Sequence, residues 1–219
     1  MSLTRQLSEY KAEWHQQVPA DLQAKIETHI EQLRSDAISN TMLKVGDRAP
    51  NIVLNNASGE RVDVSTLLAQ GPVIVSFYRG GWCPYCNIEL KAFQDHLPQI
   101  EAAGASLVAI SPENPDETLS TAEKNALSFA VLSDPEQAVG RAFGLVYNFT
   151  DELKGVYQGF KLDLPTRNGT PNDWALPVSA TYVIDRDGTI VYANTDVDFR
   201  YRADPLDVLK ALSRKVAAA

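Results

Sequence analysis

The sequence is poor in the residues that bind metals or form covalent cross-links. Its 219 residues include two cysteines, Cys83 and Cys86, and three histidines. A structural zinc site needs four ligands at suitable spacings, and His15, His29 and His96 provide no such pattern. We therefore expect no metal site. A disulfide between neighbouring cysteines closes a very short loop and would stabilise the fold by roughly 2 kcal/mol at most, so a purely structural cross-link is not favoured.

Long apolar runs and an excess of positive charge are also missing. No segment approaches the roughly 20 apolar residues that span a membrane, and charged residues occur throughout the first thirty, where a signal peptide would need an apolar core. Acidic residues number 28 against 20 basic ones, which gives a formal net charge of −8 and disfavours binding to a phosphate backbone. We expect a cytoplasmic protein that binds neither membranes nor nucleic acid. In the cytoplasm, thiols stay reduced unless they are catalytic.

The length and composition fit one α/β domain with an extension, since hydrophobic residues make up 44% of the chain. Residues 1–41 are predicted to be an arm of two helices interrupted at Pro19, and residues 42–219 to be the main domain. Apolar residues at helical spacing give each arm helix one apolar face. That face must cover either the main domain or a second subunit, and the sequence leaves both alternatives open.

Strands alternate with helices in the main domain. Short β-branched apolar runs predict strands, and apolar residues at helical spacing predict helices. The predicted strands are residues 52–54, 61–64, 73–78, 107–110, 129–132, 181–185 and 189–192. The predicted helices are residues 87–97, 116–126, 136–143 and 205–216. This order indicates a mixed sheet with a parallel core, covered by helices on both faces.

Residues 146–177 interrupt the alternation. We interpret them as a long loop, because they carry five aromatic residues and end in a stretch punctuated by proline and glycine. Long loops inside compact domains usually have a function. The loop is therefore predicted to wall a substrate pocket or an interface, with a small core of its own as the alternative.

Both cysteines fall where a strand is expected to pass into a helix. The strand at residues 73–78 is followed by Arg79-Gly80-Gly81, which allows a sharp turn, and then by the helix at residues 87–97. The first turn of a helix has unpaired N–H groups and the positive end of the helix dipole, so a thiolate there is stabilised and its pKa is lowered. Residues three apart on one turn are neighbours whose sulfurs can form a disulfide. The pattern favours redox chemistry, with a pair of inert thiols as the alternative.

The residues around this junction resemble a known fold. Trp82-Cys83-Pro84-Tyr85-Cys86 is similar to the WCxxC motif of the thioredoxin fold. The segments at residues 45–50, 132–134, 143–144 and 181–188 are similar to the peroxiredoxin branch of that fold, the AhpC/TSA or redoxin family. The resemblance covers residues 42–212 and is strongest to the peroxiredoxin-like subgroup, whose peroxidatic region contains a CxxC. It implies an α/β thioredoxin-like fold of peroxiredoxin type with an N-terminal helical extension.

The resemblance to peroxiredoxins implies one set of site residues. On their pattern PxxxTxxC, Cys86 takes the peroxidatic position and Glu89 takes the acidic position three residues later. Arg79 and Cys83 then stand where a proline and a threonine are expected. Ser179 stands where the peroxide-polarising arginine is expected. The candidate substitutes for that donor are Arg79, Arg200 and Arg202.

The resemblance to thioredoxins implies a different assignment of the cysteines. On that pattern Cys83 is the exposed attacking thiol, Cys86 is the buried resolving thiol, and Trp82 and Pro84 belong to the motif. Ser179 also stands near the position of the cis-proline that usually faces such a disulfide. Which cysteine attacks first stays open from the sequence.

Three functions are compatible with this pattern. The leading hypothesis is a peroxiredoxin-like thiol oxidoreductase that reduces hydroperoxides through a CxxC dithiol/disulfide cycle and is restored by a thioredoxin- or glutathione-type reductant, without a metal or organic cofactor. The second is a thioredoxin-like oxidoreductase acting on protein disulfides. The third is a non-enzymatic redox-sensing interaction protein. The resemblance also implies a possible homodimer.

Overall fold

The computed structural model describes residues 2–216. Met1 and residues 217–219, the ends of the predicted arm and main domain, lie outside the described residues. The arm contains α1 (Leu3–Gln17), α2 (Ala20–Ser35) and the short α3 (Ile38–Thr41). The side chain of Ser2 accepts a hydrogen bond from the Arg5 backbone N–H at 3.4 Å and so caps α1. The prediction of two arm helices is confirmed.

A seven-stranded mixed sheet forms the centre of the main domain. Along the chain, the strands of this sheet and of a second, two-stranded sheet (β6 and β7) are β1 (Val53–Asn56), β2 (Arg61–Asp63), β3 (Val73–Phe77), β4 (Ser106–Ser111), β5 (Ala130–Ser133), β6 (Val146–Asn148), β7 (Ala175–Pro177), β8 (Ala180–Ile184) and β9 (Ile190–Asn194). The order in the large sheet is β2-β1-β5-β4-β3-β8-β9. The three central strands β5, β4 and β3 are parallel, and β8, β9 and β1 pair antiparallel. All seven predicted strands are found, and the predicted fold class is confirmed.

Helices cover both faces of the sheet. After the arm they are α4 (Val64–Leu68), α5 (Pro84–Ala102), α6 (Pro115–Lys124), α7 (Ala138–Ala142), α8 (Asp151–Gly159), α9 (Leu164–Asn168) and α10 (Pro205–Val216). Every residue of β3 is buried, as expected for a central strand with helices on both sides. Two apolar clusters lie on opposite faces of β3, one including Ile74 and the other including Val75.

The prediction of a long loop at residues 146–177 is wrong. The segment holds β6, α8, α9 and β7, and β6 pairs antiparallel with β7 in a small sheet of its own. The strands are three residues long and their partners lie about 30 positions apart, so no hairpin signal was present. Gly155 and Gly159 weaken the helical pattern of α8. The alternative reading of a local core is close to the structure, because Phe149, Leu153 and Tyr157 form an apolar cluster with α2.

The arm packs against the chain's own main domain. Leu3 and Leu7 of α1 are buried in the cluster that contains α5. Ile26 and Ile30 of α2 are buried in the cluster of the segment 146–177. Of the two alternatives left open by the sequence, the structure therefore places the apolar faces of the arm on this chain.

Candidate active site

The turn after β3 depends on glycine. Gly80 has a φ of +145° and a Cβ there would lie 2.9 Å from Cδ of Glu113, with the indole of Trp82 nearer still. The N–H of Gly81 donates a 2.7 Å hydrogen bond to Glu113, which is fully buried and also accepts one from Nε of Arg167 at 3.1 Å. Glu113 therefore fixes the backbone that leads into the cysteines.

Helix α5 begins immediately after Cys83. Cys83 is the N-cap residue, and Pro84 occupies the first turn, where its fixed φ and missing N–H suit a helix start. The side chain of Asn87 donates hydrogen bonds to the carbonyls of Gly81 at 2.8 Å and Cys83 at 3.1 Å, which holds the turn on the helix. Cys86 lies one turn into α5, so both sulfurs sit at the positive end of the helix dipole.

The two thiols have opposite pKa shifts. Burial opposes ionisation of Cys83, but a hydrogen bond from Cys86 and the charges of Arg79 and Arg202 outweigh it and lower the pKa of Cys83 to about 5. Burial, together with the hydrogen bond and charge of Cys83, raises the pKa of Cys86 well above its ordinary value. These surroundings therefore favour ionisation of Cys83 over ionisation of Cys86.

Arg79 is a buried cation beside this thiolate. Its residue surface is 2% exposed, and among the ion pairs of residues 2–216 none includes Arg79. Its guanidinium donates a hydrogen bond to the hydroxyl of Tyr157. The guanidinium carbon lies 4.2 Å from the ring centre of Phe199, 5.1 Å from that of Trp82 and 5.7 Å from that of Tyr157. Each such contact contributes about 0.5–2 kcal/mol, so aromatic rings hold a charge that favours ionisation of Cys83.

Behind the cysteines lies a buried ion pair. Glu89 and Arg202 pair at 2.7 Å, with side chains 3% and 1% exposed. Arg202 also donates a hydrogen bond to the sulfur of Cys86 at 3.5 Å, and Thr181 donates one to Glu89 at 3.4 Å. Burial raises the pKa of Glu89, although the charge of Arg202 opposes the shift. Arg202 thus links the carboxylate to the second sulfur.

A cavity of about 240 Å³ opens in front of Cys83. Aromatic side chains, apolar residues and two arginines share its lining. The lining residues are Tyr10, Trp14, Ile26, Arg79, Trp82, Cys83, Pro84, Tyr85, Tyr157, Phe160, Leu162, Phe199 and Arg200. Cys86 is not among them, so of the two cysteines only Cys83 borders the cavity.

The structure brings most of the predicted site residues together. Arg79, Trp82 and Pro84 line the cavity, and Glu89 lies beside Cys86. Ser179 is 2% exposed, and its hydroxyl has no hydrogen-bond partner among the described residues. The position expected to hold an arginine therefore holds a small hydroxyl.

The arm contributes a cavity wall that the sequence does not predict, because Tyr10 and Trp14 fit the apolar face of a helix and nothing in the pattern assigns them to a pocket. The sequence does predict that residues 146–177 wall a pocket, and Tyr157, Phe160 and Leu162 of that segment line the cavity. The signal that could have placed Tyr10 and Trp14 there is the aromatic content of α1. Within residues 2–216, no group of three or more His, Cys, Asp or Glu side chains is arranged to hold a metal ion.

Two adjacent thiols at the junction of a central parallel strand and a helix, with one thiolate facing a cavity, define a thiol-dependent oxidoreductase of the thioredoxin fold. The sequence profile of the AhpC/TSA family matches residues 45–193, and this chain belongs to that family. The predicted family is thus confirmed.

Named relatives agree with this membership. A putative peroxiredoxin of Mycobacterium tuberculosis strain H37Rv is 31% identical over 157 residues, which cover 72% of this chain and 88% of that protein. Peroxiredoxin Bcp of Escherichia coli K12 is 33% identical over 103 residues, which cover 47% of this chain and 65% of that protein. The predicted enzyme class, thiol peroxidase, is confirmed.

A solved structure shares the fold. The crystal structure of peroxidoxin BcpB from Mycobacterium tuberculosis superposes with a TM-score of 0.62 at 23% identity, covering 78% of this chain and 97% of that one. The match does not extend to the full chain, and the family profile begins after α3. Within residues 2–216, no helix is both long and apolar enough to cross a membrane.

Proposed function

We propose that the protein reduces hydroperoxides through a dithiol/disulfide cycle in which Cys83 attacks and Cys86 resolves. The observation that carries the proposal is that Cys83 alone of the two faces the cavity and has its pKa lowered to about 5. A thiolate is the nucleophilic form of cysteine, so Cys83 combines a position in the cavity lining with a lowered pKa. Cys86 combines burial with a raised pKa, which suits a thiol that acts later.

The first step consumes the peroxide. The Cys83 thiolate attacks the terminal oxygen of the hydroperoxide, an S–O bond forms and the O–O bond breaks. The alkoxide leaves and takes up a proton to become an alcohol, and the sulfur is oxidised to a sulfenic acid. Arg79 supports this step, because it is buried in the lining of the same cavity. Among the ion pairs of residues 2–216, none joins it to a carboxylate. Its charge favours the negative oxygen that develops as the O–O bond breaks.

The second step closes the disulfide. The sulfur of Cys86 attacks the sulfur of Cys83, an S–S bond forms and the S–O bond breaks, and the hydroxide leaves with the Cys86 proton as water. Arg202 favours the Cys86 thiolate, since it donates a hydrogen bond to that sulfur. An external reductant, either one dithiol of thioredoxin type or two glutathione-type monothiols, then reduces the disulfide to two thiols and is itself oxidised to a disulfide. That reductant and the homodimer stay predictions.

Single cysteine variants test the assignment. Cys83→Ser is expected to abolish hydroperoxide consumption. Cys86→Ser is expected to complete one turnover and to accumulate a sulfenic acid on Cys83, detected by dimedone labelling and mass spectrometry. Dimedone labelling of Cys86 in the Cys83→Ser variant would show that the two roles are the reverse of those proposed. Retained turnover in both variants would exclude the mechanism.

A parallel assay separates the peroxidase from a protein-disulfide oxidoreductase. Both sulfurs are nearly inaccessible on the protein surface, since Cys83 is 1% and Cys86 0% exposed. A small hydroperoxide can enter the cavity, whereas a folded protein disulfide cannot reach Cys83 without displacement of the cavity walls. We therefore expect hydroperoxide consumption to exceed insulin reduction, and the opposite order would favour the disulfide reaction.

A further inference from the structure

The arm supplies part of the cavity in front of Cys83. Tyr10 and Trp14 come from α1 and Ile26 from α2. All three precede the first residue of the family match, which is residue 45. The wall is therefore an addition to the part of the chain that the family profile describes.

Specific contacts hold the arm in this position. The ring of Tyr10 packs edge-to-face on Tyr85, with ring centres 5.0 Å apart. Arg200, itself a cavity residue, forms an ion pair with Glu27 of α2 and another with Asp198 at 2.7 Å. These contacts join the arm to α5 and to the loop before α10, so the wall is built into the folded state.

The cavity suits a ligand with an apolar body and one oxygen-rich end. Its lining is mainly aromatic, while three of the lining residues each have a buried donor atom with no hydrogen-bond partner among the described residues: Nε of Arg79, Nε1 of Trp82 and the hydroxyl of Tyr85. Unpaired buried donors are costly unless a ligand or water satisfies them. A hydroperoxide group is an acceptor that can do so at the sulfur, with its carbon skeleton against the rings.

The size of the cavity indicates how large that skeleton is. A dry cavity of about 150 Å³ in another protein accommodates benzene, and this one measures about 240 Å³. A substituted benzene ring therefore fits, whereas hydrogen peroxide would leave most of the aromatic surface uncovered. Covering that surface removes apolar area from water, which stabilises the bound state.

We propose that Tyr10 and Trp14 are specificity-determining residues, which favour hydroperoxides with an apolar group of about the size of a substituted benzene ring over hydrogen peroxide. The proposal rests on the proposed peroxidase function. It gives the arm a role in choosing the substrate. The arm does so by contact with the substrate's skeleton, since the thiols themselves lie on α5 and its N-cap.

Steady-state kinetics with two peroxides test the proposal. The measured quantity is kcat/KM for cumene hydroperoxide divided by kcat/KM for hydrogen peroxide. Trp14→Ala is expected to lower this ratio by about 10–50-fold, because loss of apolar contacts in a binding pocket changes discrimination on that scale. Trp14→Leu is expected to give an intermediate loss and is the variant of choice if Trp14→Ala does not fold. Gln16→Ala, on the exposed end of α1, is the matched control and is expected to leave the ratio unchanged.

A second readout does not need peroxidase turnover. The rate of Cys83 alkylation by N-phenylmaleimide, divided by the rate with N-methylmaleimide, is expected to fall in folded Trp14→Ala and Tyr10→Ala. If that ratio falls but the unmodified protein consumes no hydroperoxide, the peroxidase assignment is wrong. The result would still support Tyr10 and Trp14 as residues that bind an apolar group in the cavity. If both ratios stay at the wild-type value in folded variants, the arm does not select the substrate and the proposal is overturned.

Discussion

Arg202 reaches the sulfur of Cys86 at 3.5 Å across 116 positions of sequence. The same guanidinium forms the 2.7 Å ion pair with Glu89. The loop before α10 therefore contributes directly to the electrostatics of the cysteine motif on α5, although the loop and the motif are far apart in sequence.

The buried ion pair predicts an asymmetric pattern of stability. Arg202→Met is expected to lower the free energy of unfolding by about 3–5 kcal/mol, because it leaves Glu89 buried without a partner. The double variant Arg202→Met with Glu89→Met is expected to recover most of that loss, since neither member of the pair then remains as an unpaired buried charge. Urea denaturation of the two single variants and the double variant measures this. Losses that simply add in the double variant would show that the two side chains act independently.

The thiolate at Cys83 predicts a distinctive pH profile. With the pKa of Cys83 at about 5, the rate of alkylation by iodoacetamide is expected to be nearly flat above pH 6 and to fall about tenfold per unit well below pH 5. Cys86→Ala removes the hydrogen bond to the thiolate and is expected to move the inflection to higher pH. Cys86→Ser keeps a donor and is the matched control, with a smaller shift. An inflection in the wild-type protein near the ordinary thiol range, above pH 8, would contradict the assigned charge state.

The turn before the cysteines predicts a strong dependence on one glycine. Gly80→Ala is expected to destabilise the protein by about 1–3 kcal/mol, because an L-residue is strained at the φ of +145° and its Cβ would contact Trp82 and Glu113. Gly155→Ala is the control, since nothing lies within 4 Å of a Cβ there and the residue belongs to α8. That substitution is expected to stabilise the protein by about 0.5–1 kcal/mol. Thermal denaturation compares the two, and an equal effect of both would remove the special role of Gly80.

The lowered pKa of His29 predicts that the contact between α2 and the segment 146–177 becomes less stable in acid. Burial, assisted by the charge of Arg79, lowers the pKa of His29 from 6.5 to about 4. The unfolded chain therefore takes up a proton at higher pH than the folded chain, and His29 reduces stability progressively as the pH falls from about 6.5 to about 4. His29→Phe keeps a ring beside Tyr147 and Phe149 and removes the titration. The difference in unfolding free energy between variant and wild type is expected to grow in the variant's favour from pH 7 to pH 5, and a constant difference would rule out this role of His29.

Local patterns predicted the central part of the fold correctly. The fully buried β3, the glycines that follow it and the cysteine pair are all specified by adjacent residues, so the sequence predicts the strand, the turn and the helix α5, although α5 begins at Pro84 and not at the predicted residue 87. The same holds for the alternation that defines β4, β5, β8 and β9. Periodicity and turn chemistry are short-range signals, and these elements depend on little else.

Contacts between distant segments could not be predicted in the same way. The pairing of β6 with β7 depends on two three-residue strands far apart in sequence. Nothing near Arg202 indicates Cys86, and the apolar faces of α1 and α2 do not reveal which surface they cover. Each of these features is decided by tertiary packing. The sequence therefore predicts the motif, the candidate arginines and a pocket wall from residues 146–177, but not how these residues and the arm are arranged around the sulfurs.

The placement of both cysteines on one helical turn affects how well the active-site thiol is protected from irreversible oxidation. A sulfenic acid on Cys83 has its partner within the same turn, so ring closure needs no unwinding and competes efficiently with a second peroxide molecule. Under the proposed cycle, irreversible conversion to the sulfinic acid would require peroxide concentrations far above those of ordinary turnover. The enzyme would thus resist inactivation by its own substrate.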